Sequence, residues 1–89
     1  MSEKIGIVGG GSWGTAIGQT LARKGHQVLI YVIEEGLKED INQKHVNSIY
    51  FPDVELNLQV RATYDLEEVV NFSKYLVISV PTQITRKVM

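Results

Sequence analysis

The sequence lacks cysteine, a surplus of either charge and any long apolar run. Without cysteine, disulfides and thiolate metal sites are excluded. Nine basic and ten acidic residues give a net charge of −1, so the charge balance does not point to nucleic acid. No apolar run is long enough to span a membrane or to form the core of a signal peptide. We therefore expect a cytoplasmic protein that has no membrane span and no nucleic-acid partner.

The apolar residues that are present, 44% of 89, are sufficient for a packed domain. Apolar β-branched strands alternate with helical stretches, which indicates an α/β fold with a parallel sheet built from βαβ units. Strands are predicted at 4–8, 27–32, 59–63 and 75–80, and helices at 12–24, at 34–44 and after the capping residue Asp65. This pattern predicts part of a Rossmann fold with the strand order 3-2-1-4.

The size of the chain suggests that the fold is partial. A complete dinucleotide-binding domain has about 150 residues, because it needs two βαβαβ halves. We interpret residues 1–89 as the N-terminal portion of such a domain, with the substrate domain outside this chain. The fourth strand, 75–80, is then expected at the edge of the sheet, where its uncharged side chains favour pairing with a second copy. A homo-oligomer is the predicted state.

The central motif is the glycine-rich run at residues 9–14, GGGSWG, which matches G-x-G-x-x-G between a predicted strand and a predicted helix. Gly9 permits the tight turn, Gly11 leaves room for a pyrophosphate, and Gly14 lets the helix lie close to the strand. The free N–H groups at the helix start would then meet the phosphates. No lysine follows Gly14, which disfavours a triphosphate-hydrolysing P-loop. A purely structural glycine turn is the alternative.

An acidic residue at the end of the second strand extends the motif. The dinucleotide fingerprint has an acid about 20 residues after its last glycine, where it accepts hydrogen bonds from the adenosine ribose. Glu34 stands there, and the adjacent Glu35 is the second candidate. Both could instead be solvated acids in the first turn of the next helix. Because no Arg or Lys lies between residues 27 and 36, NAD is the expected cofactor and NADP the alternative.

Three other side chains have rings that could contribute to a site. Trp13, in the first helical turn, either packs in the core, which the sequence alone favours, or forms a wall of the site. His26 and His45 are interpreted as surface residues rather than ligands or bases. No catalytic residue and no metal ligand is predicted.

Three sequence motifs of the chain resemble those of a known family. Residues 9–16, GGGSWGTA, closely resemble the glycine loop of NAD(P)-dependent glycerol-3-phosphate dehydrogenases. Residues 47–52, NSIYFP, are similar to that family's N-x-x-Y-[LF]-P segment, and residues 80–83, VPTQ, resemble its V-P-[ST]-Q turn. The three motifs occur in order, so the resemblance covers nearly the whole chain.

The resemblance implies an oxidoreductase that transfers hydride between NAD(P)H and dihydroxyacetone phosphate, giving glycerol 3-phosphate for phospholipid synthesis. It implies cofactor contacts at Ser12 and Trp13, with Ile33 at the adenosine end, Tyr50 as a further contact, and residues 80–84 near the nicotinamide. The family's catalytic lysines and its site for the small phosphorylated substrate lie in the later half. The isolated chain is therefore predicted to be inactive.

Residues 31–35 also bear on the choice between NAD and NADP. Many bacterial members of the family carry Arg near position 33, whereas residues 31–35, YVIEE, resemble the NAD-using members. A Rossmann domain of another dehydrogenase, of the 6-phosphogluconate or hydroxyacyl-CoA type, is one alternative. A non-catalytic module that senses NAD is the other.

Overall fold

The computed structural model describes residues 2–9 and 11–78. Four parallel strands lie in the order β3-β2-β1-β4. They are β1 Lys4–Val8, β2 Gln27–Tyr31, β3 Val60–Thr63 and β4 Tyr75–Ile78, and the helices are α1 Ser12–Arg23, α2 Leu37–Glu39 and α3 Leu66–Phe72. The predicted α/β class, parallel pairing and strand order are confirmed. The predicted VPTQ turn and its neighbours, residues 79–89, lie outside the described residues.

One face of the sheet carries α1, α2 and the main apolar core. Side chains alternate between faces along a strand, so every second residue of β1, β2 and β3 points to this side. Gly18 of α1 lies so close to the strands that a Cβ there would stand 3.2 Å from Val28 and 3.3 Å from Ile7 and Ile30. The core comprises Ile7, Ala22, Val28, Ile30, Val32, Leu37, Ile41, Leu56, Val60 and Ala62.

The opposite face is covered by α3. Asp65 caps this helix, as predicted, because its carboxylate accepts the N–H groups of Glu67 and Glu68 at 3.0 and 3.4 Å. Val69 of α3 is fully buried. A Cβ on Gly6 would lie 2.8 Å from the Val69 side chain, so only glycine lets α3 approach β1 this closely.

The second helix differs from its prediction over 34–44. Gly36 adopts φ 85°, a left-handed conformation that ends the preceding turn, and α2 begins only at Leu37. From Asp40–Lys44 the chain continues as a π-helical turn, which His45 closes at φ 58°. Glu34 and Glu35 therefore lie before the helix, and the reading that places them in its first turn is wrong.

A side-chain amide covers the outer edge of β3. Asn42 donates from Nδ2 to the Ala62 carbonyl at 2.9 Å and accepts the Ala62 N–H at Oδ1 at 2.8 Å. These are the two backbone groups that a neighbouring strand would bond. Asn42 therefore satisfies the middle of β3 without a further strand.

Candidate cofactor-binding site

The candidate site lies at the carboxyl ends of β1 and β2. Val8 and Tyr31 are paired at the ends of these strands, and the Gly9 N–H donates to the Tyr31 carbonyl at 3.4 Å. The glycine loop leaves β1 here, and Ile33 and Glu34 follow β2 at the same edge. In open parallel sheets, ligands bind at this edge. The fold thus brings together the two sequence segments that carried the cofactor prediction.

Two of the glycines are required by the backbone itself. Gly9 has φ 115°, a conformation that side chains other than hydrogen rarely permit. A Cβ on Gly14 would lie 2.0 Å from the Gly9 carbonyl oxygen. The same Cβ would lie 3.4 Å from the Ile7 side chain of β1, so the close approach of α1 to the strand that was predicted from Gly14 is present in the structure.

Gly11 has a different environment. It stands at the N-cap of α1 with φ −70°, so its backbone suits any residue, and a Cβ there would lie more than 4 Å from every described residue other than its chain neighbours. The first N–H groups of α1 have no acceptor within the helix, and no side chain caps this end. The first turn also contains no acidic residue. The protein leaves space and hydrogen-bond donors here that suit an anionic group.

The residues after Gly11 face solvent. Ser12 is exposed, and 71% of Trp13 is accessible. The interpretation of Trp13 as a core residue is wrong, because the buried face of α1 is formed by Gly14, Thr15, Gly18 and Ala22. The indole is instead exposed at the N-terminal end of α1. This position is the one expected if Trp13 forms a wall of the site.

The adenosine-end candidates Glu34 and Tyr50 contact each other. The Tyr50 hydroxyl donates to Oε2 of Glu34 at 2.8 Å, and the Ile33 N–H donates to Oε1 at 3.3 Å. Ile33 itself is 74% exposed, and Glu35 is exposed beside it. Of the two acids, Glu34 is the one whose carboxylate is held. The hydrogen bond to Glu34 and then its negative charge raise the pKa of Tyr50 above its ordinary value of 10.0, because both favour the protonated phenol that donates to the carboxylate.

Sequence reasoning missed the residues that hold these candidates in place. The Tyr64 hydroxyl accepts the Gly36 N–H at 2.8 Å and donates to Glu39 at 3.0 Å, which fixes the turn after Glu34. Asn47 is fully buried and contacts both α1 and the backbone of Tyr50. The signal for Asn47 was the residue type itself, because an asparagine side chain in an irregular segment often bonds the backbone about two residues on in an Asx turn.

Other candidates lie away from this edge. His26 precedes β2, at the opposite end of the sheet, and its Nδ1 accepts the Glu3 N–H at 3.1 Å. His26 and His45 are both half-buried rather than fully exposed. Within residues 2–9 and 11–78, no group of three acidic or histidine side chains is arranged to hold a metal ion. No helix in this part of the chain is long and apolar enough to cross a membrane.

Known proteins match this chain along its length. A family model described as the NAD-dependent glycerol-3-phosphate dehydrogenase N-terminus matches residues 4–89. The chain belongs to this family. The NAD(P)+ glycerol-3-phosphate dehydrogenase of Halothermothrix orenii is 52% identical over 89 residues, which are 100% of this chain and 26% of that protein. The family predicted from the three motifs is confirmed.

Solved structures agree with the sequence relatives. The glycerol-3-phosphate dehydrogenase of Saccharomyces cerevisiae superimposes with a TM-score of 0.83 at 30% identity, over 99% of this chain and 29% of that one. The Plasmodium falciparum enzyme gives 0.79 at 32% identity, over 97% of this chain and 27% of that one. The chain thus spans about a quarter of the length of the relatives that it matches.

Proposed function

We propose that this chain is the cofactor-binding, N-terminal portion of an oxidoreductase that transfers hydride between NAD(P)H and dihydroxyacetone phosphate or glycerol 3-phosphate, in glycerophospholipid synthesis. The observation that carries the proposal is the contrast within the glycine loop. The protein's own contacts require Gly14, whereas Gly11 faces open space beside the donors of α1. A purely structural turn would have no use for that space.

The proposed cofactor contacts follow from this geometry. The pyrophosphate would lie on the N-terminus of α1, held by the loop residues Gly9, Gly11, Ser12, Trp13 and Gly14. Ile33, Glu34 and Tyr50 would contact the adenosine ribose, which suits NAD better than NADP because the Glu34 carboxylate repels a 2′-phosphate. The bound nicotinamide supplies the hydride chemistry.

Because the chain belongs to the glycerol-3-phosphate dehydrogenase family, that enzyme explains it better than a 6-phosphogluconate or hydroxyacyl-CoA dehydrogenase does. The catalytic and substrate-binding residues are proposed to lie in the part of the relatives that this chain does not span. Cytoplasmic location and a homo-oligomeric state remain predictions.

Binding and turnover test the proposal separately. Trp13 is the only tryptophan and lies at the start of α1, so its fluorescence reports directly on ligands at this site. We expect NADH to quench it in the 89-residue chain, and we expect no NADH oxidation when dihydroxyacetone phosphate is added, because the general acid is proposed to lie in the part of the relatives that this chain does not span. The full-length enzyme should catalyse that oxidation.

Each failure has a distinct meaning. Absence of NADH binding by both the chain and the full-length protein would contradict the cofactor site. Binding without turnover by the full-length protein would favour a module that senses NAD. Turnover by the 89-residue chain would refute its proposed role as a cofactor-binding portion alone.

A further inference from the structure

A buried amide links the two halves of the candidate site. Asn47 is 0% exposed, and buried polar groups are normally hydrogen-bonded. Its Oδ1 accepts the backbone N–H groups of Ile49 and Tyr50 at 3.3 and 3.0 Å, and its Nδ2 donates to Oγ1 of Thr15 at 2.7 Å. One side chain thus joins the first turns of α1 to the turn that carries Tyr50.

The Thr15 end of this link is firmly placed. Thr15 is 0% exposed, and its N–H donates to the Gly11 carbonyl at 2.9 Å. It follows Gly14, the residue whose close contact with Gly9 fixes α1 against the loop. Asn47 is therefore anchored to the most constrained part of the site.

The Tyr50 end depends on that anchor. Tyr50 is 41% exposed, so water competes for the hydrogen bond between its hydroxyl and Glu34. An exposed hydrogen bond is too weak to fix the position of the backbone that carries it. The position of the phenol is therefore set by its backbone, and Asn47 bonds that backbone directly.

We propose that Asn47 is a positioning residue for cofactor selectivity, which acts by fixing the Tyr50 backbone relative to Thr15 so that the phenol holds the Glu34 carboxylate at the ribose position. This inference rests on the proposed function, since it assigns Glu34 the task of discriminating NADH from NADPH. Asn47 itself touches neither the cofactor nor the reacting atoms.

The chain provides a matched control on the same helix. Gln19, one turn after Thr15, donates to the Glu55 carbonyl at 3.2 Å and accepts the Asn57 N–H at 2.7 Å. Gln19→Ala therefore removes two hydrogen bonds between α1 and the irregular segment at residues 45–58, which also carries Asn47 and Tyr50. It leaves the contacts of Asn47 and Tyr50 in place.

The test measures KM for NADH and for NADPH in the full-length dehydrogenase. Asn47→Ala should reduce the preference for NADH by about 3- to 10-fold, the range expected for one hydrogen bond. Its kcat at saturating NADH should change little, and Gln19→Ala should keep the wild-type ratio. Tyr50→Phe should reproduce the reduction, and the double variant with Asn47→Ala should add nothing, because both act on one contact. Equal increases of both KM values, or additive effects, would overturn the proposal.

Two further measurements decide the matter if Asn47→Ala does not fold or the enzyme shows no turnover. Thr15→Val removes the hydroxyl that Asn47 contacts and should lower the NADH preference, whereas Thr15→Ser should restore it. Independently of any cofactor, NMR titration of the Tyr50 phenol should give an ordinary pKa in Thr15→Val and the raised pKa in Thr15→Ser. An unchanged titration of the Tyr50 phenol in a folded Thr15→Val protein would refute the positioning role. Absence of dinucleotide binding by the wild type would refute only the proposed function.

Discussion

The two ends of the candidate site are built by different means. At the end proposed for the pyrophosphate, backbone geometry fixes the loop, because Gly9 has a left-handed φ of 115° and Gly14 lies against the Gly9 carbonyl. At the end proposed for the adenosine ribose, side chains from separate segments contact one another, as Tyr50 donates to Glu34. The first end is specified by neighbours in sequence and the second by contacts that exist only after folding.

This difference has a consequence for mutation. A change at the phosphate end must either distort the fold or block the ligand, so its effects should be large. A change at the adenosine end removes one exposed contact and should alter selectivity more than stability. The following experiments test that ranking, beginning with the largest expected effect.

Gly14→Ala should destabilise the protein most. The added Cβ would lie 2.0 Å from the Gly9 carbonyl oxygen, so α1 must move away from the glycine loop. We expect the free energy of unfolding to fall by about 2–4 kcal/mol, measured by urea denaturation. Gly11→Ala is the matched control, since its Cβ meets no atom within 4 Å, and it should cost less than about 1 kcal/mol. Equal costs for the two variants would contradict the distinction between the glycines.

Gly11→Val should separate binding from folding. The side chain points into open space, so the protein should fold, but it occupies the place proposed for the pyrophosphate. NADH affinity, followed by Trp13 fluorescence, should fall at least about 10-fold, equivalent to roughly 1.4 kcal/mol. A folded variant that binds NADH like the wild type would show that the loop is structural only.

Glu34→Ala should change which cofactor is preferred. The wild type is expected to bind NADH more tightly than NADPH, because the carboxylate repels the 2′-phosphate. Its removal should narrow the difference by about 5- to 10-fold, measured by parallel titrations. Glu35→Ala should have no such effect, since Glu34 is the acid that Tyr50 and Ile33 hold. Tighter NADPH binding by the wild type would refute the assignment.

The smallest effect concerns the ionisation of Tyr50. Its hydrogen bond to Glu34 and the charge of that carboxylate raise the folded-state pKa above the ordinary 10.0. A raised pKa means that this contact contributes fully below pH 10 and is lost as the pH rises through the folded value. NMR titration of the phenol should show the raised pKa in the wild type and an ordinary one in Glu34→Ala. Identical curves would mean that the contact does not persist in solution.

The sequence predicted the features that depend on local rules. Glycine placement, alternation of apolar strands with helices and the Asp65 cap led to the fold, the strand order and the location of the loop. The predicted helix after Glu34 started too early, because Gly36 takes a left-handed conformation that periodicity does not reveal. The prediction that Trp13 lies in the core is wrong because its large apolar side chain does not reveal which face of α1 is buried.

The contacts between distant residues were beyond local rules. Tyr50 and Glu34 were each named as candidates, but no pattern indicated that they bond to each other. The pairing of Asn47 with Thr15 depends on how the irregular segment folds back over α1, and no periodicity encodes this. Side-chain pairs of this kind become visible only when the positions of both segments are known.

The amide of Asn42 makes the two edges of the sheet differ in their ability to pair with another strand. Because it occupies both backbone groups of Ala62, a strand arriving at β3 would have to displace two hydrogen bonds before forming its own. The opposite edge strand, β4, exposes 44% of Leu76 and 63% of Ile78. Extension of the sheet, by another part of the same polypeptide or by a second copy, is therefore favoured at β4. The hydrogen bonds of Asn42 thus make the two edges of the described sheet unequal, with the middle of β3 already paired.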